Sequence, residues 1–353
     1  MSTQINIFIT GATGYLGGSV LARLLKHPQA STFKITALVR SADKAEKLKT
    51  LGVESILGSY SDKDLSFLTD AAAQADVVFE LANCDHLEGN LAILEGIKKR
   101  HAKSGKAPIL IHASGTGEYF SLPLAIIMDD ARGLHGDSIV YSDLDSEKLN
   151  ALPAEALHRN VDIPLIEADK NGQVKTYLIT PGTLFGVPSG PLVELGVQNT
   201  NSIQIPYFAK FALAYKQGLY IGKGLNVWCA ADVDETADLF VLVFNSVLKD
   251  PESIGHGVDG YYFAESTTYS AIEVARIIQD TFVELGFGDK KEARPFTLEE
   301  LEATLGPMWP LFATNSKGKG DRSRALGWNP KASKEDFVAY VKGVTKKALA
   351  SGN

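Results

Sequence analysis

The chain has 353 residues, 45% of them hydrophobic and 22% charged, with a formal net charge of −7. That balance excludes disordered and collagen-like classes and allows one or two packed domains. With a pI near 5.6 there is no large positive field to draw a phosphate backbone, so nucleic acid is excluded as the expected partner. Short basic runs such as Lys98-Lys99-Arg100 and Lys346-Lys347 read as solvated helix faces. Cys84 and Cys229 are too far apart to make a disulfide framework or a metal-ligand set, so no metal is expected and a reducing compartment fits. No span approaches the length of a membrane helix, which makes the cytoplasm the expected location.

The first element is "INIFIT", Ile5 to Thr10, a β-branched run suited to a strand covered on both faces. A glycine turn follows, and then Leu16, Val20, Leu21, Leu24 and Leu25 recur at helical spacing. Gly11, Gly14 and Gly17 occupy the turn as G-x-x-G-x-x-G. Such glycines permit a tight turn and close approach of a pyrophosphate, and the helix N-terminus offers free N–H groups to its charge. Gly11, Thr13, Gly14, Tyr15, Leu16 and Gly17 are therefore candidate cofactor-binding residues.

The strand–helix rhythm continues through "FKITALVR", "SADKAEKLKTLG", "VESILGS" and "ADVVFELAN". Helix "EGNLAILEGIKKRHAKSG", strand "APILIHASG", a long polar helix-rich region and strand "QVKTYLITPG" come next. Strands separated by helices predict an α/β fold with a doubly wound parallel sheet, a Rossmann domain over residues 1–182. Beyond Gly182 the rhythm breaks, and residues 183–353 are expected to form mainly a smaller C-terminal substrate lobe with some segments returning to the Rossmann core. The loop from Gly186 to Pro206, with Tyr207, Phe208 and Phe211, is the expected pocket wall.

At the end of the second strand "LVRSADK" places Arg40 where an acidic residue would hold a ribose hydroxyl. A guanidinium there matches a 2′-phosphate, and Lys44 adds charge, so NADP is the expected cofactor over NAD.

These residues resemble the extended, or atypical, short-chain dehydrogenase/reductases, which include sugar-nucleotide epimerases and carbonyl reductases. "ITGATGYLGG" is similar to the family's cofactor turn, "ADVVFELAN" to its fourth strand, "ILIHASGTGEY" to its fifth and "TYLITPGTLFG" to its sixth. "AADVDETADLFVLV" and "ALGWNPK" resemble later segments, so the likeness runs through nearly the whole chain. The resemblance implies that Leu81, Ala82 and Asn83 pass along the cofactor and that Pro181 and Gly182 lie near its nicotinamide end.

It also implies a Ser or Thr after strand five and a Tyr-x-x-x-Lys pair on the next helix, and here the chain departs. Ser114 stands in the strand-end position, with Thr116 as a register alternative, but no Tyr-x-x-x-Lys occurs before the sixth strand. "HRNVD" falls at that position and puts His158 in place of Tyr and Asp162 in place of Lys. Four residues apart on a helix, the two are expected to share a face, with the carboxylate orienting an imidazole that donates the proton. The plainer reading is a helix-stabilising contact with catalysis lost or placed elsewhere. Tyr119 and Tyr141 are further candidates near the cleft, and Tyr177 reads as core.

The expected function is an NADPH-dependent oxidoreductase reducing a carbonyl, imine or activated double bond of a small organic molecule. A dinucleotide-sensing protein without turnover and a sugar-nucleotide epimerase or dehydratase are the alternatives. A homodimer is compatible with the sequence; its substrate is not legible there.

Overall fold

The computed structural model describes residues 4–116, 128–288 and 292–351. Seven parallel strands form the main sheet: β1 (Ile5–Ile9), β2 (Phe33–Val39), β3 (Glu54–Leu57), β4 (Val77–Glu80), β5 (Ile109–Ala113), β6 (Lys175–Pro181) and, from far along the chain, Tyr261–Ala264. In spatial order they run Tyr261–Ala264, β6, β5, β4, β1, β2, β3. The order reverses direction at β1, and the crevice outside the carboxyl ends of β1 and β4 is the place where such sheets bind ligands.

Side chains of β1 alternate between two cores, as a strand buried on both faces requires. Ile7 and Ile9 pack in one core with Val20, Leu21 and Leu24 of helix α1 (Tyr15–Leu25), whereas Phe8 joins the other with Ile93, Leu94 and Ile97. The second core is covered by α2 (Ser66–Ala72), α3 (Leu87–Ser104) and α4 (Arg159–Lys170). Ser66–Ala72 escapes sequence reading because seven residues carry too little periodicity.

Beyond residue 182 the chain serves both lobes. A second sheet contains β7 (Thr183–Phe185) and β8 (Val227–Asp232), paired in parallel, with Thr267–Ser270 antiparallel to β8. The helix α5 (Val233–Lys249) then crosses back, and its Phe240, Val243 and Phe244 lie in the same core as α1. The strand Tyr261–Ala264 follows it into the main sheet beside β6. A third core, with Phe185, Trp228, Phe282 and Phe337, belongs to the smaller lobe.

Of the expected pocket wall, Phe208 and Phe211 are half-buried. Phe208 and Phe211 line an apolar cavity with Tyr220, Phe296 and Phe312, of only about 20 Å³. That holds one water rather than an organic substrate. Among the described residues no helix is long and apolar enough to cross a membrane.

Candidate active site

The glycine turn closes at the carboxyl end of β1. Gly11 has φ +64°, and a Cβ on it would lie 2.3 Å from the Leu81 carbonyl oxygen. A Cβ on Gly17 would lie 2.2 Å from the Gly11 carbonyl oxygen, so both positions exclude every larger side chain. Helix α1 begins from Gly14 with no side-chain cap and no acidic residue in its first turn. Its first helical bond is Gly18 N–H to the Gly14 carbonyl at 3.1 Å, which leaves the N–H groups of Tyr15, Leu16 and Gly17 ahead of it for an anion. The Tyr15 side chain turns away: its hydroxyl donates to the Gly186 carbonyl at 2.6 Å and fixes the smaller lobe to the turn. Thr13 does the same through its carbonyl, which accepts from Asn199 N–H at 2.9 Å.

Leu81, Ala82 and Asn83 follow β4, with Ala82 and Asn83 exposed. Their backbone is held from below by a carboxylate that sequence reading passed over. Glu80, fully buried, accepts from Ala82 N–H at 3.2 Å, Asn83 N–H at 3.3 Å, Tyr60 OH at 2.8 Å and Thr10 Oγ1 at 3.3 Å. Thr10 Oγ1 in turn accepts from Leu81 N–H at 3.0 Å. Arg40 lies exposed just past β2, and among the described residues nothing bonds its guanidinium. Glycines and an uncapped helix start together fit the pyrophosphate of a dinucleotide.

Beside β4, the register pairs Glu80 with His112 on β5. Their side chains meet: His112 Nδ1 lies 2.9 Å from Glu80 Oε2, both groups being inaccessible to solvent. Burial raises the Glu80 carboxyl, but the bonds from His112, Tyr60 and Asn83 outweigh it and hold the group below the usual glutamate range. Two residues on, Ser114 Oγ is 3.2 Å from Asp162 Oδ2, also fully buried. Pro181 and Gly182 end β6 next to this point, where the Pro181 carbonyl accepts from Thr116 N–H at 3.0 Å. Gly182 abuts Cys229, whose carbonyl oxygen a Cβ there would approach to 2.5 Å.

His158 does not share a helix face with Asp162. It is the residue before α4, at φ +71° in the left-handed region, and its carbonyl accepts from Asp162 N–H at 2.9 Å. The imidazole is turned to the loop after β4, where Nδ1 lies 2.8 Å from Asp85 Oδ1 and 3.3 Å from Cys84 Sγ. Its Nε2 faces the loop after β5, at 2.9 Å from where a Cβ on Gly115 would stand. The expected His158–Asp162 pairing is thus replaced by His158–Asp85, and Asp162 pairs with Ser114. The three donor atoms of Cys84, Asp85 and His158 lie within 4.8 Å of one another. Next to them Arg159 is buried and donates to Tyr261 OH at 2.7 Å and to the Asn150 carbonyl at 3.2 Å.

Of the other tyrosines, Tyr177 is buried in β6 with its hydroxyl on the Pro251 carbonyl at 2.6 Å. Tyr141 sits in a two-residue ladder with Gly318–Lys319, and Tyr119 lies outside the described residues.

Residues 3–102 match the NmrA-like family. Over 340 residues, 92% of this chain and 92% of the other, the sequence is 29% identical to the oxidase ucsJ of an Acremonium species. A 75-residue stretch, 21% of each chain, is 37% identical to 4-hydroxy-2-methyl-3-oxo-4-farnesyl-3,4-dihydroquinoline-1-oxide ketoreductase of Stigmatella aurantiaca. The fold is similar to that of UDP-glucuronic acid 4-epimerase from Bacillus cereus, solved with UDP-glucuronic acid and NAD, with TM-score 0.59 and 14% identity over 97% of this chain and 99% of that one. The chain shares the fold of that enzyme, a seven-stranded parallel Rossmann-like sheet with helices on both faces.

Proposed function

We propose that the protein is an NADPH-dependent oxidoreductase that reduces a carbonyl, imine or activated double bond of a small organic molecule. The observation that carries this reading is the convergence on Gly115. A hydroxyl, Ser114, and an imidazole, His158, adjoin it at the strand ends that also carry the glycine cradle. Likeness to an oxidase and, over a short stretch, to a ketoreductase supports the reaction class.

In this reading the N-terminus of α1 with Gly11, Gly14 and Gly17 holds the pyrophosphate, Arg40 the 2′-phosphate, and Leu81 to Asn83 the path between the two ends of the dinucleotide. The chemistry that a reduced nicotinamide held by these residues would supply is hydride for the substrate carbon. Ser114 holds the substrate oxygen, and His158, oriented by Asp85 at Nδ1, gives a proton from Nε2. Asp85 takes the orienting part that the sequence assigned to Asp162.

The fold's likeness to a nucleotide-sugar epimerase supports a second reading, an epimerase-like reaction on a bound sugar nucleotide. Purified protein incubated with NADPH and a panel of ketones, quinones and imines tests the first: steady oxidation of NADPH is the expected result. Tight binding without turnover on the whole panel would leave a dinucleotide sensor, and NAD retained through purification would favour the epimerase-like reaction.

A further inference from the structure

Two buried carboxyl groups flank the imidazole of His112, and their surroundings differ. Glu80 collects four hydrogen bonds on Oε1 and lies 2.9 Å from His112 Nδ1 through Oε2. Asp162, equally sealed from solvent, has Ser114 Oγ at 3.2 Å from Oδ2, while Oδ1 has no hydrogen-bond partner and stands 3.8 Å from His112 Nε2. A dry carboxylate with so few donors is costly, whereas a neutral carboxyl group is not. One carboxyl is thus built to be charged and the other to hold a proton, the pattern by which paired acids divide their roles.

We propose that Asp162 is a neutral, proton-bearing acid whose O–H donates to Ser114 Oγ, so that the Ser114 hydroxyl turns its own hydrogen toward the substrate oxygen. The 3.2 Å separation is the same whichever oxygen carries the hydrogen. In the neutral state Ser114 is a donor, which suits a carbonyl oxygen gaining electron density. Ionisation of Asp162 reverses the bond: Ser114 then donates to the carboxylate and presents lone pairs, the arrangement that receives hydrogen from an alcohol. Asp162 is a positioning residue acting through Ser114, with His112 and Glu80 behind it. The inference rests on the reductase reading for its consequence but not for the state of the carboxyl group.

The groups around Asp162 are His112, Ser114, His158, Arg159 and Tyr261. Burial raises its carboxyl above the usual aspartate range against the opposing pull of His112, His158 and Arg159. His112 is paired with Glu80, and the guanidinium of Arg159 bonds Tyr261 and the Asn150 carbonyl.

Infrared spectra of the full, cofactor-free chain at neutral pH are expected to show a protonated-carboxyl C=O absorption that Asp162→Asn removes. No difference between the two proteins in that region overturns the proposal, whatever the enzyme turns over. Kinetics with NADPH and phenanthrenequinone supply the second arm. Asp162→Ala is expected to lower kcat about tenfold or more, the loss of one oriented hydrogen bond, with NADPH affinity held. Asp162→Asn, whose amide N–H still donates to Ser114, restores most of that loss and lacks the wild-type decline at alkaline pH. An Asn variant as impaired as the Ala variant, though folded, overturns the positioning role. NADPH left unoxidised by every form, the wild type included, counts against the reductase reading, and the infrared comparison still decides Asp162.

Discussion

Asp85 Oδ1 lies 2.8 Å from His158 Nδ1, a pair that joins the loop after β4 to the residue preceding α4. It fixes which imidazole nitrogen faces Asp85 and which faces the loop carrying Ser114 and Gly115. His158→Ala is expected to lower kcat about 10²–10⁴-fold, the span of a positioned general acid. Asp85→Asn keeps the shape, removes the charge, and should cost at least about tenfold of that. Steady-state rates at saturating NADPH check both; a silent Asp85→Asn would return the orienting role to another group.

Arg40 stands exposed past the end of β2 with its guanidinium unengaged among the described residues. In Arg40→Ala the dissociation constant for NADPH should rise about 10- to 100-fold, since hydrogen bonds to charged groups are worth ~1.5–3 kcal/mol. NADH affinity should hardly move. Calorimetric titration with each dinucleotide reads the difference, and equal weakening of both would remove the 2′-phosphate from Arg40.

Gly115→Ala tests the contact on which the site converges. Its Cβ would stand 2.9 Å from His158 Nε2, inside any normal contact, and the ring must move. Since a shift of about 1 Å at a reacting group costs on the order of 10²-fold, kcat should fall by about that factor. Calorimetric NADPH affinity and the urea midpoint should stay near wild type; a loss of kcat only in step with stability would show that the glycine serves folding alone.

Acid stability should draw on the smaller lobe. Arg294 grips Glu300 with two bonds of 2.6 Å, and these, with the Thr297 N–H, hold the Glu300 carboxyl down to about 2. A depressed carboxyl stabilises the fold above its ordinary value of 4.5 and loses that contribution as pH falls toward about 2. Arg294→Met should therefore narrow the gap between urea midpoints at neutral and acid pH. An unchanged gap would mean that the pair contributes nothing to the acid limb.

The glycine turn was legible because three levels agree there: an apolar strand, spaced glycines and an apolar helix stripe. Ser114 was placed by the resemblance, which implies a hydroxyl after the fifth strand. His158 was singled out as a candidate but expected to face Asp162, because a helix drawn through it would carry it onto that face. The left-handed backbone at His158 turns the ring to Asp85 instead, 73 positions away in sequence, a distance no helical periodicity reports. Glu80 and His112 were visible as ionisable residues inside "VVFE" and "ILIH", but their pairing needed the register of β4 against β5. The strand Tyr261–Ala264 was missed because four residues between turns carry no pattern of their own.

That last strand has a consequence for how the protein is made. During synthesis β6 leaves the ribosome with one edge bare, and its partner follows only after some eighty further residues. An uncovered parallel edge of buried apolar residues invites pairing with other nascent chains. A fragment cut at Gly182 would keep that exposed edge permanently and lose the apolar cover that α5 lays beside α1. The Rossmann-like half therefore cannot be lifted out as a module by dividing the gene at that point.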